Sequence, residues 1–194
     1  MNICVYGAAS KTIDKSYIVA GENLGKELVK RGHKLVYGAG AEGMMGAVAR
    51  GVHSENGYIT GVVPTFFTNE EILYLKCDNL IRTKTMRERK QIMEDSSDAF
   101  IVTPGGIGTF EEFFEILTLK QLNQHNKPIV IFNINGFYNS MIKTLDEAIK
   151  GNFINKECIE MYPSFDNIDD VLDYIENYIL LYSYRIPQVC YARI

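Results

Sequence analysis

The stretch TPGGIGTFEE, residues 103–112, gathers residue types that can do chemistry. Gly105, Gly106 and Gly108 leave backbone N–H groups open to an anion, and Thr109, Glu111 and Glu112 follow in an apolar, helix-like pattern. Between a buried strand and a helix start, such N–H groups point outward with the positive helix end behind them, which suits phosphate. A plainer reading explains the same letters. Thr109-x-x-Glu112 matches a capping box, in which the threonine caps the helix and the glutamate reaches back. Glu111 would suit any first turn on charge alone. No Gly-Lys-Ser/Thr follows the glycines, so this is not a Walker A loop.

The segment just before shifts the balance. IRTKTMRERK, residues 81–90, carries Arg82, Lys84, Arg87, Arg89 and Lys90 against Glu88 alone. Many such runs are solvated helix faces. On a helix, however, Arg89 shares a face with Thr85, Ile92 and Met93, so its stem can pack while its head reaches a cleft. A cationic helix leading into a glycine loop makes a coherent anion site.

Two further glycine loops end apolar runs: VYGAAS (5–10), with Gly7 and Ser10, and VYGAGAEG (36–43), with Gly40 and Gly43. The second fits G-x-G-x-x-G. A dinucleotide site would also want a carboxylate about 20 residues on, to hold the ribose. That region reads ITGVVPTFF, so NAD is disfavoured. A mononucleotide or phosphate remains open for this loop, and so does simple helix–strand packing beside Met44 and Met45.

These loops need elements to hold them. Short apolar runs alternate with amphipathic segments of helical length, the pattern of a parallel sheet covered by helices in the α/β class. Strands are expected at Asn2–Tyr6, Lys34–Tyr37, Tyr58–Val63, Ala99–Val102 and Pro128–Phe132. Helices are expected at Lys15–Arg31, Gly43–His53, Thr85–Asp95, Thr109–Asn123, Phe137–Lys150 and Ile168–Leu181. Gly32 and Gly151 fall where left-handed helix caps favour glycine. Ligands in such sheets bind beyond the carboxyl ends of the strands, where all three glycine loops would lie.

Composition narrows the class. The 194 residues suit one domain, taken as 1–182, followed by a tail at 183–194 without clear periodicity. A net charge of -4 gives no electrostatic reason to expect nucleic acid or an anionic membrane as partner. Cys4, Cys77, Cys158 and Cys190 are dispersed and the three histidines lack ligand spacing, so no metal site is expected. No basic leader or bilayer-length apolar stretch is visible, and the expectation is a cytoplasmic protein.

Met86-Arg87-Glu88-Arg89-Lys90 followed by Pro104-Gly105-Gly106-Ile107-Gly108-Thr109-Phe110-Glu111-Glu112 resembles the M-x-x-R-K … P-G-G-x-G-T-x-x-E pair of the LOG ("Lonely Guy") family. The likeness runs from the first strand to about Phe153, through VYGAGAEGMMG (36–46), QLNQHNKP (121–128) and NINGFYN (133–139). Members are phosphoribohydrolases that activate cytokinins, many once labelled lysine decarboxylases. The resemblance implies a Rossmann-like open parallel sheet with helices on both faces, in a homodimer. It implies hydrolysis of a purine nucleoside 5′-monophosphate, carrying adenine or an N6-modified adenine, to free base and ribose 5-phosphate, without a cofactor. It maps the catalytic pair onto Arg89 and Glu112. Substrate contacts map onto Lys90, Met86, Gly105, Gly106, Gly108, Thr109, Glu111 and Thr118, with Gly7, Ser10, Gly40 and Gly43 from the other loops.

The residue types fit that chemistry. Cleaving a glycosidic bond builds positive charge on the ribose, which a nearby carboxylate stabilises while orienting water. Arginine stays protonated at ordinary pH, so Arg89 would act electrostatically. Two departures stand out. The first loop reads Gly7-Ala8-Ala9-Ser10 where many relatives carry Gly-Ser-Ser, and Leu75, near Glu71, takes the place of a glutamate on the substrate side. A decarboxylase would need pyridoxal phosphate and a Schiff-base lysine, for which no motif is present. Molybdenum-cofactor carriers resemble the family and bind without hydrolysing; a nucleotide sensor whose tail docks elsewhere is the third reading. Retention of Arg89 and Glu112 favours the hydrolase.

Overall fold

The computed structural model describes residues 1–69 and 72–183. Among them seven parallel strands form one sheet in the order β4-β3-β2-β1-β5-β6-β7. They are β1 (Asn2–Tyr6), β2 (Lys34–Tyr37), β3 (Ile59–Pro64), β4 (Asn79–Thr83), β5 (Ala99–Val102), β6 (Ile129–Phe132) and β7 (Ser164–Phe165). The helices are α1 (Lys15–Lys30), α2 (Gly43–Ser54), α3 (Met86–Asp95), α4 (Ile107–Gln121), α5 (Asn139–Lys150) and α6 (Ile168–Ser183). Of the expected tail at 183–194, Ser183 ends α6 and the rest lies outside the described residues.

The central strands are wholly apolar and buried, as β5 (AFIV) and β6 (IVIF) show, because helices cover both faces. One core joins β1, β2 and β5 to Leu24 and Leu28 of α1, Met44 and Val48 of α2, and Val171 and Ile175 of α6. The other packs Met93 of α3, Phe113 and Ile116 of α4, and Leu145 of α5 on the opposite face. This is the Rossmann-like arrangement. Strand order reverses between β1 and β5, so the loops after these strands diverge there and open a crevice.

Two strands were not expected. β4 is a sheet edge with the sequence NLIRT, its first four residues partly or fully exposed, so it carries no buried apolar run. It carries Arg82, which lies ahead of the expected helix. β7 pairs with β6 over two residues, too few to leave a pattern.

Helix ends correct two further expectations. Gly32 is left-handed (φ 76°), but Gly151 is not, and Asn152 (φ 59°) takes that conformation instead. Asparagine tolerates it because its side chain bonds locally. A reciprocal cap close to a capping box is at α3, with the glutamate reaching one residue beyond the cap. There Thr85 accepts from the Glu88 N–H at 3.1 Å, and Glu88 accepts from the Lys84 N–H at 2.7 Å. Helix α4 instead starts at Ile107 behind Gly106, with no side-chain cap, so Thr109 sits inside its first turn. That early start frees Glu112 from capping.

Candidate active site

A cavity of about 410 Å³ opens at the carboxyl ends of β1, β2, β3 and β5. Nine of the residues expected from sequence line it: Gly7, Gly40, Met86, Arg89, Gly106, Gly108, Thr109, Glu111 and Glu112. Arg89 on α3 and Glu112 on α4 are 7% and 8% exposed. The Arg89 Nη1 donates to Glu112 Oε1 at 2.8 Å, and its Nε donates to the Val62 carbonyl at 3.1 Å. Burial pushes the Glu112 carboxyl above the usual range, while the charge and hydrogen bond of Arg89 draw it part of the way back.

The glycines of the 105–108 loop divide by role. A Cβ at Gly105 would stand 2.1 Å from the Thr109 hydroxyl, so the fold itself requires glycine there. At Gly106 and Gly108 a Cβ would meet nothing within 4 Å. No internal packing calls for glycine at these two positions. Their bare backbone instead leaves the start of α4 open to the cavity, where the first N–H groups of a helix have no intrahelical partner.

The remaining expected residues lie outside the cavity lining. Lys90 bridges to Glu111 and to Glu115 (2.8 Å), tying α3 to α4. Ser10 is exposed and shares a hydrogen bond with Thr12 at 2.9 Å. Gly43 (φ 61°) lets the start of α2 pack on the Ala8 and Ser10 carbonyls. Thr118 is exposed on α4 and donates to the Phe114 carbonyl at 2.7 Å. Leu75, expected on the substrate side, is 53% exposed and outside the lining. Glu71 falls outside the described residues.

Sequence reasoning missed part of the wall. Ile72 and Leu73 reach the cavity because Leu73 bridges to Gly40, the Ala41 N–H donates to Ile72 and the Tyr74 N–H to Ala39. Phe67, Val63 and Met45 complete an apolar side, and Glu42 adds a carboxylate at the start of α2. The pairing at 72–74 is non-local and has no periodic signature. Gly38 and Glu42, by contrast, stood within the quoted glycine loop.

Comparison with known proteins accords with this geometry. The family described as "Possible lysine decarboxylase" matches residues 45–175. "Probable cytokinin riboside 5'-monophosphate phosphoribohydrolase LOGL5" of Oryza sativa subsp. japonica is 37% identical over 177 residues, covering 91% of this chain and 72% of its own. "Cytokinin riboside 5'-monophosphate phosphoribohydrolase LOG2" of Arabidopsis thaliana is 35% identical over 177 residues, covering 91% and 83%. Among solved structures, the molybdenum cofactor carrier protein of Chlamydomonas reinhardtii superposes with a TM-score of 0.69 at 20% identity, covering 92% of this chain and 98% of that one. That likeness speaks for the fold alone. With relatives this similar along nearly all its length, the chain belongs to the LOG family, for which the lysine decarboxylase description is an older label.

Proposed function

We propose that this protein hydrolyses the N-glycosidic bond of cytokinin-type purine nucleoside 5′-monophosphates, releasing adenine or an N6-modified adenine and ribose 5-phosphate. The observation that carries the reading is the buried Arg89–Glu112 pair beside the open Gly106–Gly108 backbone, in one cavity. The curated relatives named above act on such a substrate by name.

Two helix starts compete for the phosphate. Helix α2 opens on Glu42, whose charge repels an anion, whereas α4 opens on Gly106 with no acidic residue in its first turn. The phosphate therefore sits at Gly106–Thr109, and its binding energy orients the ribose over Glu112. Water adds to C1′ as the C1′–N bond breaks, and the departing base leaves with a proton. Ionised Glu112 stabilises the positive charge on the ribose and orients the water. The Arg89 charge and hydrogen bond favour the ionised form of Glu112 against the effect of burial, and its remaining N–H groups are offered to substrate oxygens. The apolar wall of Val63, Phe67, Leu73 and Met45 suits a flat base or its N6 substituent.

The same reading makes the enzyme a cytoplasmic homodimer. In support, Ile107 (86% exposed), Phe114 and Leu122 follow one another at helical spacing on the outer face of α4, with Thr118 among them. A second copy covering that face would bring Thr118 into the interface.

The test is base release from AMP, N6-isopentenyl-AMP, GMP and CMP, run beside Glu112→Gln and Arg89→Ala. Base and ribose 5-phosphate from the adenine nucleotides, lost in both variants, are expected. Tight nucleotide binding by wild type without any release would overturn the hydrolase in favour of a carrier.

A further inference from the structure

Gly38 ends the β2 strand's run into the glycine loop, yet its backbone does not call for glycine. Within this loop the positive φ values belong to Ala39 (59°) and Gly43 (61°), not to Gly38. What excludes a side chain is Arg89. A Cβ at position 38 would stand 1.9 Å from Nη2 of Arg89 and 3.0 Å from its Cζ.

A flexible side-chain tip could move aside at little cost, but this one is tethered. The Nε bond to the Val62 carbonyl and the Nη1 bond to Glu112 hold two corners of the guanidinium, and the residue is 7% exposed. The third corner, Nη2, has no hydrogen-bond partner among the described residues. Gly38 and Arg89 both line the cavity. The neighbouring backbone is fixed as well: Ala39, fully buried and strained at positive φ, accepts from the Tyr74 N–H at 2.9 Å. The chain at 38–40 therefore cannot simply withdraw from Arg89.

We infer that Gly38 is a positioning residue for Arg89: its missing side chain leaves the seat in which the guanidinium reaches Glu112 while presenting Nη2 to an oxygen of the substrate. The inference rests on the proposed hydrolase and adds which residue aims Arg89 and which of its atoms faces the substrate. A methyl at 38 drives the guanidinium out of that seat, which breaks the pair and removes the donor together.

The test is a cycle of Gly38→Ala and Arg89→Lys, read by base release and by the 13C titration of the Glu112 carboxyl. Gly38→Ala alone is expected to lower kcat/KM on the order of 100-fold, the scale of losing one transition-state donor. Its Glu112 titration should move upward. In the Arg89→Lys background, where no Nη2 exists, adding Gly38→Ala should cost far less than it does in wild type and should leave the Glu112 titration in place. A Gly38→Ala loss that simply multiplies with that of Arg89→Lys, or an unmoved Glu112 titration, overturns the inference. Should Gly38→Ala alone fail to fold, a folded double variant matching Arg89→Lys supports it, and an unfolded double variant overturns it. Wild type that releases no base while the titration still moves would sink the hydrolase reading and leave the positioning role standing.

Discussion

Arg89 and Glu112 meet from two different helices, Nη1 to Oε1 at 2.8 Å, with both residues more than nine-tenths hidden from solvent. Such a pair is a poor source of stability. Desolvating both charges costs about as much as their attraction returns, whereas removing one partner strands the other. Its placement in the cavity is therefore better explained by chemistry than by folding.

That asymmetry is measurable. Arg89→Met should lower unfolding stability by about 3 kcal/mol, because a buried carboxylate is left unpaired. The double variant Arg89→Met/Glu112→Met should recover most of that loss while remaining inactive. Denaturant melts of the two proteins check it. Equal stability of single and double variants would mean that the pair is not coupled.

The pH dependence follows from the Glu112 carboxyl. Burial raises it, so the ionised form needed to stabilise the ribosyl cation is lost at a higher pH than for an ordinary glutamate. As pH falls, kcat/KM should therefore decline through a midpoint above the usual carboxylate range. Removing the nearby positive charge should carry that midpoint higher still. The 13C titration of the Glu112 carboxyl in Arg89→Gln, set beside that of wild type, should show the upward move.

Much of this site is legible in the sequence, for a physical reason. Buried parallel strands are continuous apolar runs, so β1, β2 and β5 and the loops they feed could be placed directly. The T-x-x-E letters were ambiguous because the same spacing folds differently in different places. At 85–88 they cap α3, whereas at 109–112 the helix has already begun at Ile107 and the glutamate turns to Arg89. Gly38 was visible as a loop glycine, but its reason is a contact across 51 positions of chain with Arg89. Leu73 and Ile72 depended on a bridge to Gly40 that no local pattern announces.

Glu42 is the carboxylate of the cavity that no cation answers among the described residues: Arg89 pairs with Glu112, and Lys90 with Glu111. An incoming phosphate dianion meets its repulsion. Glu42→Gln should lower KM for a nucleoside monophosphate several-fold with little change in kcat, and the gain should shrink as added salt screens the charge. An unchanged or raised KM would instead mean that Glu42 accepts a hydrogen bond from the substrate.

Lys120 supplies a prediction away from the site. On α4 it is 7% exposed, donates to the Lys127 carbonyl at 2.8 Å and lies 4.6 Å from the Tyr178 ring centroid. Burial pushes its ammonium down to about 8 from the model-compound value of 10.5. Between these two values the unfolded chain holds the proton more firmly than the folded one, so stability should rise with pH across that window. Below about pH 8 the penalty is constant, and it reaches about 3.5 kcal/mol at most if each pKa unit is worth about 1.4. The carbonyl and the ring offset part of it. Lys120→Met removes the ionisable group while keeping the stem's packing. Thermal melts of wild type and Lys120→Met from pH 7 to 10.5 should start with the variant ahead and converge as pH rises. A constant gap across the range would show that the lysine keeps its proton in the folded protein.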